Sequence, residues 1–143
     1  MLLVDDSADD GFILKWAFRH ADRLKIICIL TTGEEALAYF QRVGKYSNHD
    51  LFPIPEGLLL DMYLPGLSGI QFLRELTEKR LCRPKRIILL TTDPHPQDIR
   101  QAFSLGAQMF QSKAADAGRM KEFVKRLERS LAQEPETFRA CSS

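Results

Sequence analysis

Three carboxylates stand where two apolar runs end. Gly57-Leu58-Leu59-Leu60 runs into Asp61, and Leu2-Leu3-Val4 runs into Asp5 and Asp6. A charge at the tip of a buried strand is costly unless water, a cation or a hydrogen-bond partner meets it there. Two such strand ends together make an acidic pocket, and an acidic pocket suits a divalent metal. Mg2+ takes oxygen ligands in an octahedron and keeps several waters, using one or two carboxylates with phosphate oxygen. Asp6 and Asp61 suit that role, with Asp5 holding a metal-bound water. Thr91 and Lys113 also follow apolar runs. A lysine ammonium as point charge and a threonine hydroxyl as donor suit a phosphoryl group. The set describes phosphoryl transfer onto a carboxylate, where positioning and charge neutralisation dominate.

The elements that must position these groups alternate along the chain. Ser7 caps a helix running to about residue 21, and Asp9 and Asp10 read as helix-start acids that suit its dipole. Residues 25–31 are β-branched and apolar, a strand. Gly33-Glu34-Glu35 opens a helix with Ala36, Leu37, Phe40 and Val43 on one face, ending near Gly44. Residues 45–56 hold Pro53 and Pro55 and no period, so they are expected to be loop. Residues 57–61 form the third strand and 68–79 a helix with Ile70, Leu73 and Leu76 inward. Residues 85–91 form a fourth strand, 96–105 a helix and 107–111 a short fifth strand. The last helix, 117–133, carries Met120, Phe123, Val124, Leu127 and Leu131 as a one-sided stripe. Such alternation predicts a parallel sheet covered on both faces. Right-handed crossovers then bring all strand C-termini to one edge, where ligands of these sheets bind. Asp5, Asp6, Asp61, Thr91 and Lys113 converge on that crevice.

Composition narrows the rest. The chain has 143 residues, 45% hydrophobic and 27% charged, so one domain is expected over residues 1–133, with a flexible tail over 134–143. A net charge of +1 gives no reason to expect nucleic acid or an anionic membrane as partner. No apolar run approaches the roughly 20 residues that span a bilayer, and no export leader is evident. Cys28, Cys82 and Cys141 are odd in number and widely spaced, which argues against a disulfide framework and fits a reducing cytoplasm. The first strand has only three apolar residues, so it is expected to continue upstream. His95 reads as a solvent-exposed loop histidine. The basic residues Arg119, Lys121, Lys125, Arg126 and Arg129 read as a solvated helix face.

The residues resemble the receiver domains of two-component response regulators. The match lies in Val4-Asp5-Asp6, Leu60-Asp61-Met62-Tyr63-Leu64-Pro65-Gly66 with Gly69, Leu90-Thr91-Thr92, Gly106-Ala107 and Lys113. It covers about residues 2–131 and is closest in style to stand-alone, phytochrome-associated regulators. It implies a flavodoxin-like (βα)5 fold with strand order 2-1-3-4-5. It implies that Asp61 accepts phosphate from a phosphohistidine, with Mg2+ held by Asp6, Asp61 and the Tyr63 backbone carbonyl, and by Asp5 through water. Thr91 would donate to the phosphoryl group and Lys113 would pair with it. Phe110 matches the aromatic that turns inward when Thr91 moves, switching the surface of the fourth helix, fifth strand and last helix. A sensor histidine kinase or histidine phosphotransfer protein would be the donor, a downstream protein the target, and a homodimer through the last helix one assembly.

Three positions depart from the family pattern. Ala114 stands where most receivers have proline, so the Lys113–Ala114 bond is expected to be trans with a shifted loop or cis and held by the site. A non-proline cis bond costs about 2.5–4 kcal/mol. Pro94 and Pro96 stiffen the loop that moves on activation. Tyr63 is expected at the mouth of the crevice, hindering attacking water. Two other functions compete: an aspartate-nucleophile phosphohydrolase, and a phosphorylation-independent interaction module with a relic pocket. The first usually needs a second acid two residues after the nucleophile, where Tyr63 stands; retention of all five polar residues speaks against the second.

Overall fold

A computed structural model describes residues 1–113 and 116–132. The expected tail and the Lys113–Ala114 bond lie outside the described residues. In chain order the elements are β1 Leu2–Val4, α1 Ala8–Arg19, β2 Cys28–Leu30, α2 Gly33–Gln41, a 3-10 turn Gly44–Ser47, β3 Gly57–Asp61, α3 Gly69–Glu78, β4 Arg86–Thr91, α4 Pro96–Ser104, β5 Met109–Ser112 and α5 Ala117–Ala132. The five strands form one parallel sheet in the order β2-β1-β3-β4-β5, the flavodoxin-like arrangement expected. No described helix is long and apolar enough to cross a membrane.

Alternation along the strands sorts the core into two layers. Leu2, Val4, Leu58, Leu60, Ile87 and Leu89 face one side, meeting Phe40 and Tyr39 of α2 and Phe72, Leu73 and Leu76 of α3. Leu3, Leu59, Ile88 and Leu90 face the other, where Leu14, Ala17 and Phe18 of α1 meet Met120, Phe123, Val124 and Leu127 of α5. Both faces of β3 are therefore apolar, and all five of its residues are buried. This is why a central parallel strand reads as an unbroken apolar run.

Three boundaries differ from expectation. β2 shrinks to three residues because its partner β1 is three residues long, Leu2 lying opposite Cys28 and Val4 opposite Leu30. α2 stops at Gln41 because Arg42 turns left-handed (φ 61°) and donates from Nη1 to the Phe52 carbonyl. Val43 thus leaves the helix and is 49% exposed. Part of the following loop is ordered as the 3-10 turn, whose Tyr46 ring packs 5.1 Å from Tyr39 and 5.0 Å from Phe52. β5 starts two residues late because Gln108 is spent on the edge of β4, its side chain accepting from Ile87 N and donating to Lys85 O. Cys28 is a free thiol, half-buried.

Candidate functional site

The strand ladder carries the site residues to one edge. Asp5 N donates to Leu30 O, Met62 N to Leu90 O and Lys113 N to Thr91 O, so strand pairing continues just past the apolar runs. Asp5, Asp6 and Asp61 emerge side by side from β1 and β3, and one oxygen of each lies within 4.8 Å of the others. Asp5 and Asp61 are buried, while Asp6 faces solvent. Thr91, fully buried, ends β4 beside them, with its Oγ1 accepting from Asp93 N at 3.3 Å.

The loop after β3 is held from both sides. Gly66 adopts φ +72°, a left-handed conformation that glycine reaches without penalty. The next amide, Leu67 N, donates to Glu34 Oε1 of α2 at 2.7 Å. Ser68 and Gln71 then start α3 with a reciprocal capping box. Gly69 lies so close to β3 that a Cβ there would sit 2.6 Å from the Asp61 carbonyl oxygen. These contacts leave the Asp61 side chain little choice of direction. Its Oδ1 accepts from Tyr63 N at 3.0 Å and its Oδ2 from Lys113 Nζ at 3.0 Å.

Lys113 is the hub of the crevice. Its ammonium lies 2.9 Å from Asp5 Oδ2, 3.0 Å from Asp61 Oδ2 and 3.0 Å from Asp10 Oδ2. Burial disfavours its charge, but the carboxylates more than offset that and raise its pKa above the ordinary lysine value. For Asp5, burial raises the carboxyl pKa, against the Ser7 N–H and the Lys113 ammonium, which lower it. Asp5 Oδ1 accepts from Ser7 N at 2.9 Å. Its buried Oδ2 is ion-paired with Lys113 by distance yet makes no aligned hydrogen bond. A buried carboxylate oxygen in that state, beside two further carboxylates, fits a hard divalent cation with oxygen ligands.

Two side chains lie elsewhere than the crevice. Phe110 pairs with Leu89 down the sheet, two rows below Ser112, and is 37% exposed. Tyr63 is 44% exposed and leans toward α4, where its hydroxyl donates to Asp98 Oδ2 at 2.8 Å. Its ring meets His95 edge-on at 6.1 Å between centroids. Burial and the Asp98 hydrogen bond push the Tyr63 phenol up to about 12. Sequence reasoning missed Asp98 and treated Asp10 as a helix-start acid alone. Asp10 N does donate to the capping Ser7 Oγ at 3.2 Å, but the Asp10 carboxylate reaches Lys113. The available signal was position: as the third residue of α1, Asp10 lies in the first turn, close after the strand end that carries Asp5 and Asp6.

Residues 1–125 match the response regulator receiver domain. The chain belongs to that family. The receiver is 26% identical over 128 residues to response regulator Rcp1 of Synechocystis, covering 90% of this chain and 85% of that one. It is 27% identical over 133 residues to the two-component response regulator ARR15 of Arabidopsis thaliana, of whose length it spans 62%. Among solved structures, the phosphorylated cyanobacterial phytochrome response regulator RcpA superposes with TM-score 0.77 at 25% identity, covering 99% of this chain and 96% of that one. The Mn2+-bound form of Rcp1 superposes with TM-score 0.75 at 25% identity, covering 99% and 97%. The acid cluster of this receiver fits the divalent-metal site of its family.

Proposed function

We propose that this receiver takes a phosphoryl group from a phosphohistidine onto Asp61 and signals through a change of shape at α4, β5 and α5. One observation carries the reading: the Asp61 carboxylate stands at a strand end beside the Asp5 and Asp6 carboxylates, with the Lys113 ammonium 3.0 Å from its Oδ2 and 2.9 Å from Asp5. Asp61 attacks phosphorus, a P–O bond forms, and the P–N bond breaks with its electron pair leaving on the imidazole. Mg2+ held by Asp6, Asp61 and the Tyr63 carbonyl, with Asp5 acting through water, would neutralise charge on the transferring group. Lys113, already at the acceptor, pairs with the new anion. The Thr91 hydroxyl, which in the resting receiver accepts from Asp93 N–H, donates its own proton to a phosphoryl oxygen.

That new anion is what biases the switch. Phe110, outward in this structure, turns inward as Thr91 moves, and the exposed face it leaves is read by a downstream protein. The phosphoryl donor is a sensor histidine kinase or a histidine phosphotransfer protein, the compartment is the cytoplasm, and α5 offers a surface for a homodimer. We take the chain as a phosphoacceptor that assists its own phosphorylation and dephosphorylation, with the domain ending near residue 133. Acetyl phosphate with Mg2+ tests it. A hydroxylamine-sensitive adduct that Asp61→Asn abolishes is expected. Multiple-turnover phosphate release would identify a hydrolase instead, and no adduct would leave a phosphorylation-independent interaction module.

A further inference from the structure

An ammonium has three protons, and in this receiver three carboxylate oxygens lie within 3.0 Å of the Lys113 ammonium. Asp5 Oδ2 and Asp61 Oδ2, two of the partners, belong to the cluster of acids that fits a divalent cation. Asp10 does not belong to it. The ammonium therefore rests on oxygens that an arriving cation would claim, and like charges at contact distance repel strongly wherever water is scarce. Lys113 must move, and its side chain is only 7% exposed, so water does not replace a lost partner freely. Asp10 is different in setting: its side chain is 31% exposed, and its backbone is fixed at the start of α1 by Ser7.

We propose that Asp10 is a positioning residue for Lys113, receiving the ammonium when a divalent cation takes Asp5 and Asp61. The inference rests on the reading of the crevice as a metal site. Lysine's stem is flexible, so a small swing toward Asp10 withdraws it from two partners while keeping the third. The displaced ammonium then waits beside Asp61 with protons free for a phosphoryl oxygen. Without Asp10, cation entry breaks every ion pair Lys113 has and leaves a buried charge alone. Asp10 acts through Lys113 and touches neither metal nor phosphoryl group.

A general pull of negative charge on the cation would also make Asp10 helpful, and Asp9 controls for it. It carries the same charge one residue away, is exposed, and is not among the partners of Lys113. Mn2+ alone is titrated into the full chain, with free Mn2+ read by electron paramagnetic resonance. Asp10→Asn and Asp9→Asn are compared, each with Lys113 and with Lys113→Met. The expected result is about tenfold weaker binding in Asp10→Asn, equivalent to ~1.4 kcal/mol, and under about twofold in Asp9→Asn. In the Lys113→Met background the two become equal, as a double-mutant cycle requires of a residue acting through another. A second readout needs no lysine variant: with saturating Mg2+, the 15N signal of the Lys113 ammonium persists in the wild type and is lost to exchange in Asp10→Asn. Equal weakening by both variants, an Asp10 effect that survives Lys113→Met, or a persistent ammonium signal in Asp10→Asn overturns the proposal alone. No Mn2+ binding to the wild type overturns the metal reading and the proposal together.

Discussion

Replacing Lys113 by methionine asks what its ammonium holds together. Three carboxylate oxygens lie within 3.0 Å of Nζ, and the side chains of Asp5 and Asp61 are 0% and 7% exposed. Removing one partner of a buried ion pair costs about 3–5 kcal/mol, because the other charge stays buried and uncompensated. The lower end applies here, since Asp10 is open to water and each remaining acid keeps a backbone N–H, Ser7 for Asp5 and Tyr63 for Asp61. With a urea m-value of about 2 kcal/mol/M, a loss of about 3 kcal/mol lowers the unfolding midpoint by about 1.5 M. Saturating Mn2+ should narrow the gap, because a cation serves the carboxylates that the lysine has left. The lysine pKa is raised in the folded state. Its contribution is therefore full below the unfolded value of about 10.4 and is lost as pH rises through the higher folded one. Between pH 6 and 9 the lysine's own titration therefore adds no slope to the gap between wild type and variant. Urea unfolding followed by circular dichroism, with and without Mn2+, measures all of this. A midpoint shift below about 0.5 M, or a gap that Mn2+ does not narrow, would refute the reasoning.

Burial raises the Asp5 pKa, so the folded state holds that proton more tightly and stability falls as pH climbs from about 3.9 through the folded value. Asp5→Asn should flatten this slope in thermal melts without metal; an unchanged slope contradicts the assignment. The phenols of Tyr39, Tyr46 and Tyr63 are all pushed up to about 12, in each case with burial as the leading cause. In a spectrophotometric titration Asp98→Asn should lower one of the three, burial still holding it above the ordinary tyrosine value, and three unmoved phenols would refute the Tyr63–Asp98 bond. Gly69→Ala forces a Cβ against the Asp61 carbonyl oxygen at 2.6 Å. Overpacking of this kind costs about 1–3 kcal/mol and should also weaken Mn2+ binding; a variant as stable as wild type would show the loop to be loose.

Much of the site was legible because strand ends in a parallel sheet are ordered by topology alone. Asp5, Asp6, Asp61 and Thr91 needed only an apolar run before them and a right-handed crossover after it. What escaped notice depends on distances between elements far apart in sequence. Asp10 meets Lys113 only because the lysine, just past β5, reaches across the strand ends to the first turn of α1. Tyr63 finds Asp98 across 35 residues. The end of α2 shows the same limit: the apolar spacing continues to Val43, yet Arg42 leaves the helix to bond a carbonyl ten residues later. Local pattern sets what a residue can do, and remote partners decide which option is taken.

The cluster around Lys113 ties together the first loop of the chain, its middle and its last strand; Asp61 and Lys113 alone are separated by 52 residues. No fragment of the chain contains it, and an unfolded chain would close loops of that length only at a large entropic cost. A divalent cation bound there would therefore recognise the completed fold and nothing less. By mass action, about 2.7 kcal/mol is added at a hundredfold excess over Kd, and it would be spread over the whole domain rather than over the loops that touch the ion. The rigidity of this receiver and the ionic conditions around it would then be linked, with cation concentration setting how often the molecule opens in any way that breaks the site.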